Sequence, residues 1–151
     1  MYLIFDTETT GLPRNYNAPI SDSNNWPRAV QIAWQLHDQW GALIEHQDFL
    51  IAPDGFDIPY DAEKVHGIST LLAEKQGVPI AEVFDAFNKA LGKAQYVVGQ
   101  NIGFDINIMG AEFYRYGVES PLDKLPVIDT CTEATANLCK IEGGRGGKYK
   151  F

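Results

Sequence analysis

Residues 2–11, YLIFDTETTG, begin as an apolar run and change directly into a pair of acids. Side chains two apart on a β-strand project to the same face, so Asp6 and Glu8 point one way and Thr7 points the other. Two carboxylates this close raise each other's pKa unless a cation lies between them, and Mg²⁺ and Mn²⁺ prefer carboxylate oxygen. The stretch predicts either half of a metal site or a strand end with solvated acids. The tight exit expected at residues 9–11 favours the site.

A second acid follows a second apolar strand, in residues 97–105, VVGQNIGFD. Asp105 stands where the pattern predicts the start of a helix, and an acid there interacts favourably with the helix dipole. Taken alone, it is better explained as a capping residue. Ligand sites of α/β folds also lie at strand ends, however, so Asp105 is a candidate third oxygen ligand beside Asp6 and Glu8.

Composition limits the classes of function that the chain can have. Its 151 residues suffice for one domain with a core, and 45% hydrophobic and 21% charged residues are typical of a globular protein. The net charge of -8 argues against a broad basic surface. Binding of a polyanion would need bound metal, local cations such as Arg14 and Arg28, and stacking aromatics such as Tyr16 and Trp26, although these two aromatics are equally well explained by packing.

The spacing of the two cysteines indicates a reducing compartment. Cys131 and Cys139 are eight apart in a predicted helix, which places their Cα atoms about 12 Å apart, too far for a disulfide. No apolar run is long enough to cross a membrane, and the acid pair begins too early to leave room for a signal peptide. We expect a cytoplasmic protein that does not enter membranes.

Periodicity predicts an α/β fold in which helices pack on a mixed sheet. Alternation and turn signals predict strands over 2–8, 29–36, 42–51, 95–99 and 126–129. Capping signals and apolar spacing predict helices over 60–65, 69–76, 79–91, 104–116 and 130–140. Trp34 and Trp40 are expected in the core.

Four short motifs in this order resemble those of the DEDD 3′–5′ exonucleases, the DnaQ-like family of the epsilon subunit of DNA polymerase III. They are DTETTG at 6–11, VHGI at 65–68, QNIGFD at 100–105 and VIDT at 127–130, spread over nearly the whole chain. The resemblance implies a ribonuclease H-like mixed sheet flanked by helices. It also implies hydrolysis of phosphodiester bonds with two Mg²⁺ or Mn²⁺ ions.

The resemblance also implies roles for individual residues. Asp6, Glu8 and Asp105 would be the catalytic metal ligands, with Asp6 bridging both ions. The substrate-binding residues would be Thr7, Thr9, Thr10, Asn101, Phe104 and His66. For His66, a structural role in the His-Gly turn is favoured over one as catalytic base.

One part of the family pattern has no counterpart in the chain. The family's third motif supplies a His or Tyr and then a last metal-binding Asp near the C-terminus, but His37, His46 and His66 lie far upstream and no Asp follows Asp129. We therefore expect residues 1–151 to form a single, incomplete exonuclease domain, truncated or naturally short, with weak activity.

The expected substrate is the 3′ end of single-stranded DNA, as in proofreading or repair, with a DNA polymerase as a possible partner. Two alternatives stay open: a non-catalytic module that binds nucleic acid or a polymerase, and an RNA-trimming exonuclease. The sequence leaves the oligomeric state unknown.

Overall fold

A computed structural model describes residues 1–150, apart from the side chain of Arg145. It contains one five-stranded sheet, in which the third, second, first, fourth and fifth strands of the chain lie side by side in that order. The strands are β1 (Tyr2–Thr9), β2 (Ala29–His37), β3 (Leu43–Leu50), β4 (Tyr96–Gly99) and β5 (Val127–Asp129). β1 and β3 pair antiparallel with β2, whereas β4 pairs parallel with β1 and with β5. The predicted mixed sheet is confirmed.

Five α-helices connect or follow these strands: α1 (Tyr60–His66), α2 (Thr70–Gln76), α3 (Ile80–Leu91), α4 (Gly103–Tyr116) and α5 (Glu133–Cys139). Two short 3₁₀ turns lie at Leu122–Lys124 and Arg145–Gly147. Ser69 caps α2 as predicted, since its side chain accepts a hydrogen bond from the amide of Leu72. α5 begins later than predicted, at Glu133, because Thr132 caps it through the amide of Thr135.

The core lies on one face of the sheet, beneath α3 and α4. Along β1 the buried side chains alternate with more exposed ones, and the rings of Phe5 and Trp34 lie 5.1 Å and 5.2 Å from that of Phe87 in α3. Such aromatic contacts add to the burial of apolar area. The opposite face carries Ile4, which is 41% exposed, and Asp6. The fold therefore leaves the acid side of β1 open.

Two aromatic predictions are resolved by the tertiary structure. Trp26 is only 3% exposed and belongs to the core, so it is not a stacking residue for bases. Trp40, expected in the core, is 84% exposed, because it lies at the tip of the β2–β3 turn where no second layer covers it. Tyr16 is exposed.

The described cysteines are free thiols, and both are exposed. Cys139 ends α5, but Cys131 precedes the helix, so the prediction that one helix holds both is wrong. None of the helices in residues 1–150 combines the length and the apolar character that a membrane span requires.

Candidate active site

The acid pair of β1 lies on the open face of the sheet, as the alternation predicts. Asp6 is exposed and Glu8 is half-buried, whereas Thr7 and Thr9 between and after them are buried, with 8% and 9% exposure. A cavity of about 310 Å³ opens beside Asp6, and His46 and Gln100 are among the other residues that line it. The carboxylates are thus accessible from solvent on the uncovered side.

Asp105 is brought to this strand by α4. It is the third residue of the helix and only 4% exposed, and its Oδ1 accepts two hydrogen bonds from Thr7, one from the amide at 2.9 Å and one from the hydroxyl at 2.6 Å. The side chain therefore ties α4 to β1, and the explanation of Asp105 as a helix-capping residue is wrong.

Burial and charge both act on Asp105. The pKa of its carboxyl is raised from 3.8 to about 6, mainly by burial, with a smaller contribution from the negative charge of Asp6, while the bonds from Thr7 oppose the shift. Asp6 and Asp105, which are 99 positions apart in sequence, therefore share one electrostatic environment. A cation near these groups would favour the ionised form of Asp105.

The donor chemistry fits a hard divalent ion. Asp6, Glu8 and Asp105 offer carboxylate oxygens, and among the described side chains and the amides of other residues none donates a hydrogen bond to Oδ2 of Asp105. Within that described part, no three His, Cys, Asp or Glu side chains converge closely enough to form a ready metal group. Like charges repel, so the three acids are not expected to converge before a cation neutralises them.

The turn between β4 and α4 is held by an acid whose role the sequence did not reveal. Asp129, at the end of β5, accepts hydrogen bonds from the amides of Asn101 and Cys131, both at 2.8 Å. Asn101 adopts a φ of 55°, a conformation that asparagine tolerates better than most residues. Asp129 therefore closes this turn. Phe104, the next predicted contact, is partly buried against the core.

The threonines that follow Glu8 are engaged within the fold. The Thr9 hydroxyl donates to the carbonyl of Gly11 at 2.7 Å. The Thr10 amide donates to the carbonyl of Arg28 at 2.9 Å, and the Thr10 hydroxyl accepts from the Arg28 amide at 2.9 Å. These bonds shape the predicted tight exit of β1.

Arg28, considered above as a cation for phosphate, is committed to a buried acid. Its Nε donates to Glu112 of α4 at 2.9 Å, and Glu112, which is fully buried, also accepts from the amide of Ala29 at 2.9 Å and pairs with Arg115 at 3.1 Å. Sequence reasoning missed Glu112 and Arg115. The available signal was an acid within the predicted helix over 104–116, which the pattern alone could not assign to a partner.

His66 ends α1, and its backbone context supports the structural role. Gly67 continues the chain with a φ of 79°, and the Nδ1 of His66 accepts from the amide of Ile68 at 3.1 Å. Since Nδ1 accepts, Nε2 carries the proton of the neutral ring, and Nε2 is buried with no hydrogen-bond acceptor in the described part of the chain.

A mixed sheet in this order, with acids at the end of its first strand and in the helix after its fourth, defines the ribonuclease H-like class of nuclease folds. Within that class, residues 3–141 match the RNase T family, described as exonuclease. The chain belongs to this exonuclease family, which confirms the resemblance to the DEDD exonucleases.

Curated relatives are much longer proteins. A PolC-type DNA polymerase III of Pediococcus pentosaceus is 32% identical over 144 residues, 95% of this chain and 9% of the relative. A PolC-type DNA polymerase III of Streptococcus thermophilus is 30% identical over 130 residues, 85% of this chain and 8% of the relative. The chain therefore spans less than a tenth of these relatives.

Solved structures share the fold at low sequence identity. E. coli exonuclease I in complex with a 5cy-dT13 oligonucleotide is 18% identical, with a TM-score of 0.76, over 99% of this chain and 33% of that one. Its complex with a dA16 oligonucleotide is 21% identical, with a TM-score of 0.73, over the same shares. The zinc-bound form of its complex with single-stranded DNA is 21% identical, with a TM-score of 0.69, over 85% and 27%. These likenesses confirm the predicted ribonuclease H-like fold.

Proposed function

We propose that this chain is a 3′–5′ exonuclease domain that hydrolyses the phosphodiester bond at the 3′ end of single-stranded DNA. Asp6, Glu8 and Asp105 would hold two Mg²⁺ or Mn²⁺ ions. The observation that carries the proposal is the pair of bonds from Thr7, between the two acids of β1, to the buried carboxylate of Asp105. Those bonds join the first and second motifs in space.

The residues of the chain would bind and orient the ions and the scissile phosphate. Asp6 presents its carboxylate on the open face of β1, and Glu8 lies on the same face one step along the strand. Asp105 is fixed by Thr7 through Oδ1, which leaves Oδ2 for an ion. When bound, such ions activate a water and offset the negative charge that develops on the phosphate oxygens.

The substrate argument combines charge with the comparisons. The net charge of -8 means that long-range attraction does not collect DNA, so local contacts at the site would hold it. Exonuclease I is described in complex with oligonucleotides and with single-stranded DNA, and the curated relatives are DNA polymerases, which supports DNA as substrate and a polymerase as partner. Asn101, Phe104 and His66 remain the proposed nucleotide contacts. An RNA substrate would add contacts to the 2′ hydroxyl.

An oligonucleotide assay tests the activity. A 5′-labelled single strand incubated with Mn²⁺ should give a ladder that shortens from the 3′ end, and Asp6→Asn should abolish it. Asp85→Asn, the same change of charge on the exposed side of α3, is the matched control and should cleave normally. Cleavage by Asp6→Asn at the wild-type rate would refute the proposed site. A matched RNA oligonucleotide compares the two substrates.

A second pair of measurements separates catalysis from binding alone. Calorimetric titration of the metal-free chain with Mn²⁺ should show binding. If the chain binds no Mn²⁺, the non-catalytic module is the better explanation. The same cleavage assay on a longer chain that continues beyond residue 151 tests the expected third motif. Full activity of residues 1–151 alone would contradict the expectation that a required base and acid are missing.

A further inference from the structure

Thr7 lies between the two acids of the first motif but faces the other side of the strand. Both of its donors, the amide at 2.9 Å and the hydroxyl at 2.6 Å, reach the same oxygen of Asp105. We propose that Thr7 is a positioning residue, whose hydroxyl orients the Asp105 carboxylate so that Oδ2 is presented to a divalent ion. This inference rests on the proposed function, and it replaces the predicted role of Thr7 in substrate binding.

Burial excludes a direct role of the Thr7 hydroxyl at the substrate. Thr7 is 8% exposed, and its single hydroxyl proton is used in the bond to Asp105. An O–H···O distance of 2.6 Å is typical of a charge-assisted bond, which is about twice as strong as a neutral one. Side chains that orient a metal ligand in this way contribute to the affinity for the ion without touching it.

The two donors on one oxygen restrict the rotation of the carboxylate. The amide alone would hold Oδ1 at one point, and the hydroxyl adds a second direction, so the plane of the group is fixed relative to β1. Because Asp6 and Glu8 flank Thr7 on the same strand, the bond also fixes Asp105 relative to both of them. The hydrogen bond from the amide of residue 7 comes from the backbone and does not depend on the side chain, whereas the bond from the hydroxyl requires threonine or serine at this position.

Two substitutions separate the hydroxyl from the packing. Thr7→Val keeps the shape and removes the hydroxyl, while Thr7→Ser keeps the hydroxyl and removes the methyl group. We expect Thr7→Val to weaken Mn²⁺ binding by about tenfold, in the range found for residues that orient metal ligands, and Thr7→Ser to stay within about twofold of wild type. Calorimetric titration of metal-free protein with Mn²⁺ measures the affinity, and thermal unfolding in EDTA measures stability separately.

Each result supports or overturns the inference. Wild-type affinity in Thr7→Val, with clear binding by the wild-type chain, overturns the role of Thr7 and leaves the proposed function intact. Equal weakening in Thr7→Val and Thr7→Ser overturns it too, since the hydroxyl would then not be the cause. A folded wild-type chain that binds no Mn²⁺ defeats the proposed function and this inference with it. If Thr7→Val does not fold, Thr7→Ala, which also lacks the hydroxyl, gives the same test against Thr7→Ser.

Discussion

Replacing Asp105 by asparagine should stabilise the metal-free protein while it removes metal binding. Asp105 is 4% exposed, and the charged form of its carboxyl is disfavoured chiefly by burial, then by the nearby charge of Asp6. A neutral carboxamide of the same size keeps an oxygen that can accept both bonds from Thr7. The substitution thus removes the unfavourable charge and retains the tie between α4 and β1.

The size of the gain follows from the pKa. A rise from 3.8 to about 6, at about 1.4 kcal/mol for each pKa unit, means that ionised Asp105 costs the folded protein about 3 kcal/mol. Burying the amide nitrogen of the substituted side chain offsets part of this, so we expect a net increase of about 1–2 kcal/mol in the free energy of unfolding. Because the folded-state pKa is the higher one, the cost is absent below about pH 4, grows between about pH 4 and pH 6, and is complete above pH 6.

Urea denaturation in EDTA, followed by circular dichroism, measures this gain. The increase for Asp105→Asn should be about 1–2 kcal/mol at pH 8 and close to zero at pH 5, because at pH 5 the cost of ionised Asp105 falls to about half while the cost of burying the amide nitrogen stays the same. Asp85→Asn, on the exposed side of α3, controls for the change of net charge and should show no such pattern. Calorimetric titration with Mn²⁺ of the metal-free variant, after removal of the EDTA, should show that binding is lost.

Two results would refute the reasoning. A variant less stable than wild type at pH 8 would mean that the ionised carboxylate stabilises the fold through its bonds from Thr7. A gain that is equal at pH 5 and pH 8 would mean that titration of Asp105 is not its source.

Four further substitutions test the other assignments by urea denaturation or metal titration. Glu112→Gln should lower the free energy of unfolding by about 3 kcal/mol, since Arg28 and Arg115 lose their buried partner. A loss below about 1 kcal/mol would contradict that account. Trp26→Ala should lower the free energy of unfolding by about 3–5 kcal/mol because Trp26 is buried, whereas Tyr16→Ala, at an exposed position, should change it by less than about 0.5 kcal/mol. Equal effects of the two substitutions would contradict the packing described. Asp6→Asn should abolish Mn²⁺ binding with stability within about 0.5 kcal/mol of wild type, because Asp6 is exposed; a large loss of stability would contradict its place on the open face.

Local patterns were sufficient to predict most of the fold. The period of two in β1 places Asp6 and Glu8 on one face, and the apolar spacing after Pro79 gives the buried side of α3, because each pattern follows directly from backbone geometry. Trp34 and Trp40 show where this stops. Both stand in or next to a strand of one hairpin, but only Trp34 faces a second layer. Which side of a hairpin is covered depends on elements elsewhere in the chain.

The partners of the buried acids required the tertiary structure. An acid in the first turn of a helix fits the capping pattern whether it bonds to its own helix or to a distant strand. The sequence therefore could not exclude that Asp105 caps α4. Glu112 and Arg28 are 84 residues apart, and nothing local signals their pairing. The motif order supplied the candidate site, but the contacts that hold it depend on how α4 crosses β1.

The two buried carboxylates of α4 distinguish structure from function within one helix. Asp105 and Glu112 are seven residues apart, two helical turns, so they project from the same side toward the sheet. Glu112 is paired with Arg28 and Arg115, whereas none of the described Lys and Arg side chains pairs with Asp105, whose carboxyl is held by the two donors of Thr7 and by its own backbone amide. A buried acid without a cation is destabilising, and such groups concentrate at functional sites. The unbalanced negative charge of α4 is therefore that of Asp105, in the first turn of the helix and beside the exposed acids of β1. A divalent ion bound there would supply the missing positive charge.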